Sequence, residues 1–184
     1  MEKADDFDRS KLKAFVHEAN VAISQLMKES DRGAVLVGVA YLDDLLIRLF
    51  KAKMRLTKTL SKDLFDSSGP LSTLSSRIKV AYCLGWIGPE TFRDLDLLRK
   101  IRNDFAHLHK PITFEDPSVQ SRCRELEMPK GFLPARLSRA KDQFIGTVSM
   151  LILRLERYRS ESRIPERGWD PSVTPLPPPK IESA

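Results

Sequence analysis

The stretch AVLVGVAYL, residues 34–42, is apolar on almost every side of a helix, and few packings accommodate such a segment. A helix without a polar face has to be surrounded. The run is far shorter than the ~20 residues that cross a bilayer, so its covering has to come from the chain itself. Ser30 and Asp31 offer an N-cap just ahead of it. The reading is a central buried helix over about 32–53, with Gly38 letting a neighbouring helix approach closely.

The covering is legible on both sides. Over 10–29, Leu12, Phe15, Val16, Ala19, Ile23, Leu26 and Met27 recur with a period of 3.6, the pattern of an amphipathic helix. A short helix fits 57–65, and DSSGP at 66–70 reads as a turn. Leu71, Leu74, Ile78, Ala81 and Tyr82 give helical spacing over 71–84, closed by Gly85 and Gly88. Pro89 suits the first turn of another helix, which runs to about His107. A short helix near 118–126 and a long one over 136–160, carrying Phe144, Ile145, Val148, Leu151, Ile152, Leu155 and Tyr158, complete the set. No alternating strand pattern and no repeat is visible. The expected fold is all-α: a single helical-bundle domain over 1–164 with an up-and-down core. A flexible Pro-rich tail over 165–184, with PLPPP at 175–179, follows it. A chain of 184 residues suits one such domain.

Charge and cysteine usage narrow the setting. The 31 lysines and arginines exceed the 25 acids, for a net charge of +6. That surplus favours nucleic acid or an acidic partner without dictating either. Cys83 and Cys123 each stand alone, which reads as a reduced, cytoplasmic protein without a disulfide framework. The opening MEKADDFDRS has no apolar core and so is no secretory signal. His17, Cys83 and Cys123 lack ligand spacing, so no metal site is expected. No Gly-rich phosphate loop or Ser-His-Asp arrangement calls for a cofactor or a hydrolase mechanism.

One stretch concentrates polar chemistry: RKIRNDFAHLHKP, residues 99–111. On a helix, Leu98, Ile101, Phe105 and Leu108 form the core stripe, while Arg99, Arg102, Asn103 and His107 fall on the opposite arc. Asn103 and His107 are one turn apart and therefore neighbours. A guanidinium fork matches phosphate oxygens, and an imidazole exchanges protons near neutral pH. Together they suit a phosphate backbone. An RNA phosphodiester carries its own 2′-OH nucleophile, so cleavage would need a base, an acid and positive charge, but no metal. Two copies of His107 across a two-fold axis would share the acid and base roles, which makes a homodimer the natural assembly. Solvation alone also places polar residues on an outer arc, and cations at a helix C-terminus suit its dipole. Arg77 and Lys79 are a further pair for the same cleft, or ordinary surface charge. Of Asp43 and Asp44, adjacent in an apolar helix, one is expected in solvent and the other on an arginine, Arg77 or Arg102.

Three blocks resemble a known family: DRGAVLVGVAYLDDLLIRLF (31–50), LFDSSGPLSTLSSRIKVAYCLGWI (64–87) and DLDLLRKIRNDFAH (94–107). In this order and spacing they are similar to the mannitol operon repressor family over roughly 31–126, with the last helix included. The resemblance implies a helical transcriptional regulator that lacks a helix-turn-helix and acts through protein contacts or weak nucleic-acid binding. The six residues Arg102 to His107 also resemble the Arg-x4-His motif of HEPN domains, all-α and usually dimeric. That resemblance implies the alternative of a metal-independent endoribonuclease, toxin-like, with Arg102 and His107 catalytic and Arg99, Asn103 and Arg77 binding. Leu108 and His109 follow the motif, so the tyrosine some HEPN toxins carry two places after the histidine is absent.

Overall fold

The computed structural model describes residue 17 and residues 19–66, 68–107, 111–127 and 139–160. All regular structure among them is helical. The segment 19–28 is α1, followed by α2 (Asp31–Lys53), α3 (Lys58–Phe65), α4 (Leu74–Cys83), α5 (Pro89–Ala106), α6 (Pro117–Arg124) and α7 (Ala140–Ser160). The expected Pro-rich tail, Leu108 and the start of the last helix at 136 lie outside the described residues.

Helix starts follow local chemistry. The Ser30 side chain accepts from the Gly33 N–H, Thr57 from Leu60 and Thr73 from Ser76. Each hydroxyl satisfies one of the N–H groups that a helix start leaves unpaired. Pro89 and Pro117 occupy first-turn positions, where no N–H is needed. The Thr73 cap starts α4 three residues later than the spacing of Leu71 and Leu74 predicts. Leu71 is still buried, but in the turn before the helix, where its N–H donates to the Leu64 carbonyl.

The predicted central helix is central. Ala34, Val35, Val39, Leu42, Leu45, Leu46, Leu49 and Phe50 of α2 are at most 2% exposed. α2 packs on α7, α5 and α4, most extensively on α7. Gly38 faces Phe144 and Val148, as close approach requires. Lys141 at the start of α7 reaches Asp31 at the start of α2, 3.1 Å away, so these two helices run side by side in the same sense. α5 runs against both. Its last residues meet Arg32, and its first turn meets Arg154. With α5 antiparallel to both, α2, α5 and α7 alternate in the expected up-and-down sense, and the parallel first and last of them are in direct contact. Two residues placed on core stripes by periodicity are outside the core: Met27 is 65% exposed and Tyr82 43%. No helix among the described residues is long and apolar enough to cross a membrane.

Candidate functional site at the end of α5

Burial of Leu95, Leu98, Ile101 and Phe105 against the bundle fixes the rotation of α5 and turns its polar arc outward. The residues of that arc have different fates. Arg99 donates through Nε and Nη2 to Asp96 Oδ1 at 2.9 and 2.7 Å. Lys100 reaches the other oxygen of the same carboxylate at 2.9 Å. Partial burial would raise the Asp96 carboxyl, but hydrogen bonds from Lys100 and Arg99 and their charges outweigh it and hold the group below its ordinary value. Arg99 is therefore engaged within its own helix.

Arg102 is exposed, and its Nη1 donates to Asn103 Oδ1 at 3.1 Å. No carboxylate pairs with it among the described residues. α5 ends at Ala106, one residue before the expected limit, and His107 caps it with extended backbone, φ −70 and ψ 112. Its N–H reaches only the Asp104 carbonyl, at 3.4 Å. The imidazole is exposed beside the helix end, on a residue whose backbone has left the helical arc. Asp104 turns away from the group, to an ion pair with Arg122 of α6.

A cation that the helical projection missed joins this end. Arg32 donates from Nη2 to the Ala106 carbonyl at 3.2 Å, satisfying an acceptor that α5 leaves open. The sequence did hold a signal. Arginine in the first turn of a helix opposes that helix's own dipole, which favours a role at another helix's C-terminus. Arg32 on the Ala106 carbonyl, Arg102 on the Asn103 amide oxygen, and His107 at the cap all lie at this end of α5. Guanidiniums are groups that bind anions, and an imidazole is one that exchanges protons.

Arg77 does not belong to it. The residue is 4% exposed, which overturns the reading of plain surface charge. Its Nε and Nη2 donate to the two oxygens of Asp43 at 2.8 and 2.7 Å. Its Nη1 donates to the Leu71 carbonyl at 2.5 Å. The guanidinium thus ties the turn before α4 to the central helix. Asp43 meets an arginine, and Asp44, half exposed, pairs with Arg48 at 2.7 Å. Lys79 is exposed. Cys83 is exposed and Cys123 buried. Burial pushes the Cys123 thiol up to about 12.

Helices packed on the apolar face of α2, with polar side chains at the end of α5, define an all-α class of domain. The family model described as mannitol repressor matches residues 33–162, and the chain belongs to that family. It is 26% identical over 119 residues to the mannitol operon repressor of Escherichia coli (strain K12), and the same figures hold for that of Escherichia coli O6:H1. The match takes in 65% of this chain and spans 58% of the length of these relatives. In fold the chain resembles the X-ray structure of the MtlR–HPr complex from Escherichia coli, with a TM-score of 0.60 and 22% identity. That match covers 77% of this chain and 98% of the matched one.

Proposed function

We propose that this protein is a transcriptional regulator that works through protein contacts rather than through a helix-turn-helix of its own. The observation that carries the reading is the family match over 33–162. The fold likeness to a chain solved in an MtlR–HPr complex supports a protein partner of the HPr kind. The proposed organisation is a domain over 1–164 followed by the segment 165–184. It acts in the cytoplasm as a homodimer with the end of α5 at the interface or its cleft. Titration calorimetry with HPr from the same organism tests the reading, alongside a mannitol-operon reporter in cells with and without the gene. Heat of binding together with a change in reporter output is expected. Neither would occur if the chain worked otherwise.

A second reading is favoured by the exposed Arg102, which pairs with no carboxylate among the described residues, next to the cap residue His107: a metal-independent endoribonuclease or a weak RNA-binding surface. Arg102 and His107 would act on the phosphodiester, with Asn103 and Arg99 supporting. Arg77 would contribute only if it left Asp43. RNA cleavage in EDTA that disappears in His107→Ala would favour this enzyme. Intact RNA would leave the regulator. Light scattering with Arg102→Glu tests the interface, and salt-sensitive polyanion binding should fall in that variant.

A further inference from the structure

The turn between α4 and α5 carries an apolar patch that the regulator reading leaves unused. Tyr82 and Leu84 are 43% and 51% exposed. Gly85, at φ +68, bends the chain there. Beyond the bend, Phe92 of α5 lies against the Tyr82 ring, with centroids 4.6 Å apart. An exposed tyrosine stacked on a partly buried phenylalanine, with an exposed leucine two residues on, is the kind of site on which polyproline helices dock, because their preformed extended shape loses little entropy on binding. Glu90, whose side chain is 65% exposed, sets a carboxylate at the edge of this turn, 3.3 Å from Arg154.

The fold brings the end of α7, the last described helix, to this place. Arg154 of α7 pairs with Glu90, and a Cβ on Gly88 would lie 3.9 Å from the Tyr158 hydroxyl. α7 therefore ends, at Ser160, within one turn of residues that touch the α4–α5 connection. The sequence after it reaches PLPPPK at 175–180. With three residues per turn, Pro175 and Pro178 share one face of a polyproline helix, and Lys180 follows with a charge opposite to that of Glu90. The ~15 residues between Ser160 and Pro175 reach up to roughly 45 Å at about 3.1 Å each, ample for a return to the turn. A tether of this kind supplies an effective concentration on the order of millimolar, so even a weak contact is occupied.

We propose that the Tyr82–Leu84–Phe92 patch is the docking site of the chain's own PLPPPK segment, held in cis, with Lys180 directed to Glu90. The contact masks an apolar surface of the domain and exposes it when the segment is drawn away, for instance by another protein that binds polyproline.

Cys83, exposed and next to Tyr82, reports occupancy of the patch, while Cys123 is buried and stays silent. The experiment compares the rate of Cys83 modification by a disulfide reagent in the full chain and in a Pro175→Ala, Pro178→Ala variant with the same melting temperature. Several-fold faster labelling of the variant is expected. A synthetic peptide covering 171–184 should slow it again, and Leu84→Asp in the full chain should speed it as the proline changes do. Equal rates in wild type and both variants would overturn the proposal. Protection that vanishes on dilution would overturn it too, because the segment would then be docking on a second copy.

Discussion

Replacing Asp43 with alanine isolates what the buried Arg77 contributes. In the wild type this guanidinium is 4% exposed and its donors go to Asp43 and the Leu71 carbonyl. In Asp43→Ala the charge stays buried and keeps only the carbonyl. Removing one partner of a buried ion pair costs about 3–5 kcal/mol, most of it the penalty of the stranded charge. The Asp43 side chain is itself 28% exposed, so water reaches the pair from that side and the lower end applies, about 3 kcal/mol. For a domain of this size each kcal/mol moves the midpoint by about 2–4 °C, giving a fall of roughly 6–12 °C. Arg77→Met should cost less, because the stranded Asp43 can rehydrate while a stranded Arg77 cannot. The double variant Asp43→Ala, Arg77→Met should be more stable than Asp43→Ala alone, since it removes the unpaired charge. Thermal melts followed by circular dichroism at 222 nm, the standard helical band, measure all three. The reasoning fails if Asp43→Ala melts with the wild type, or if Arg77→Met is the more damaging single change.

Two further outcomes follow from the same packing. Gly38→Ala places a methyl 3.6 Å from Phe144 and Val148, ordinary contact distance. It should therefore be neutral or raise stability by up to about 1 kcal/mol through helix propensity, whereas Gly38→Leu should lower the melting temperature sharply. The Asp96 carboxyl sits below its ordinary value of 3.8, so its contribution is present above that pH and fades as the pH falls through the lowered value. Asp96→Asn should accordingly flatten the acid limb of a stability–pH profile below about pH 4, and in the neutral region cost the part-buried pairs with Arg99 and Lys100.

What the sequence disclosed and what it hid divide along the range of the interactions. The capping by Ser30, the α5 stripe of Leu98, Ile101 and Phe105, and the burial of most of α2, though not of Val37, which is 53% exposed, depend on spacing within one helix and are found where the sequence puts them. Tyr82 was misplaced because spacing counts any large ring as core. In the fold, Ile78 and Ala81 fill the inner face of α4, and Tyr82 finds a surface partner in Phe92. Arg77 was misread because an arginine is assigned to water by default. Its partner lies 34 residues away on another helix, and only the oddity of Asp43 in an apolar run hinted at it. At the end of α5 the four-residue projection joined Asn103 to His107, but the helix stops at Ala106. The second cation there, Arg32, comes from 74 residues earlier. Local pattern fixes which residues share a helix face, while which side chains meet at a helix end is decided by contacts between helices.

The parallel pairing of α2 with α7 has a consequence for synthesis. The most apolar helix is made early, and its most extensive partner is made last. At about 5–20 residues per second, roughly 5–20 s separate the emergence of residue 53 from that of residue 160. During that interval the face of Gly38 and its neighbours has no α7 to cover it, and it is available to holdase chaperones or to other nascent chains. Chains arrested before residue 140 should remain open to protease within α2, and those extended past residue 160 should become resistant. Resistance of the shorter chains would mean that α4 and α5 suffice to shelter it.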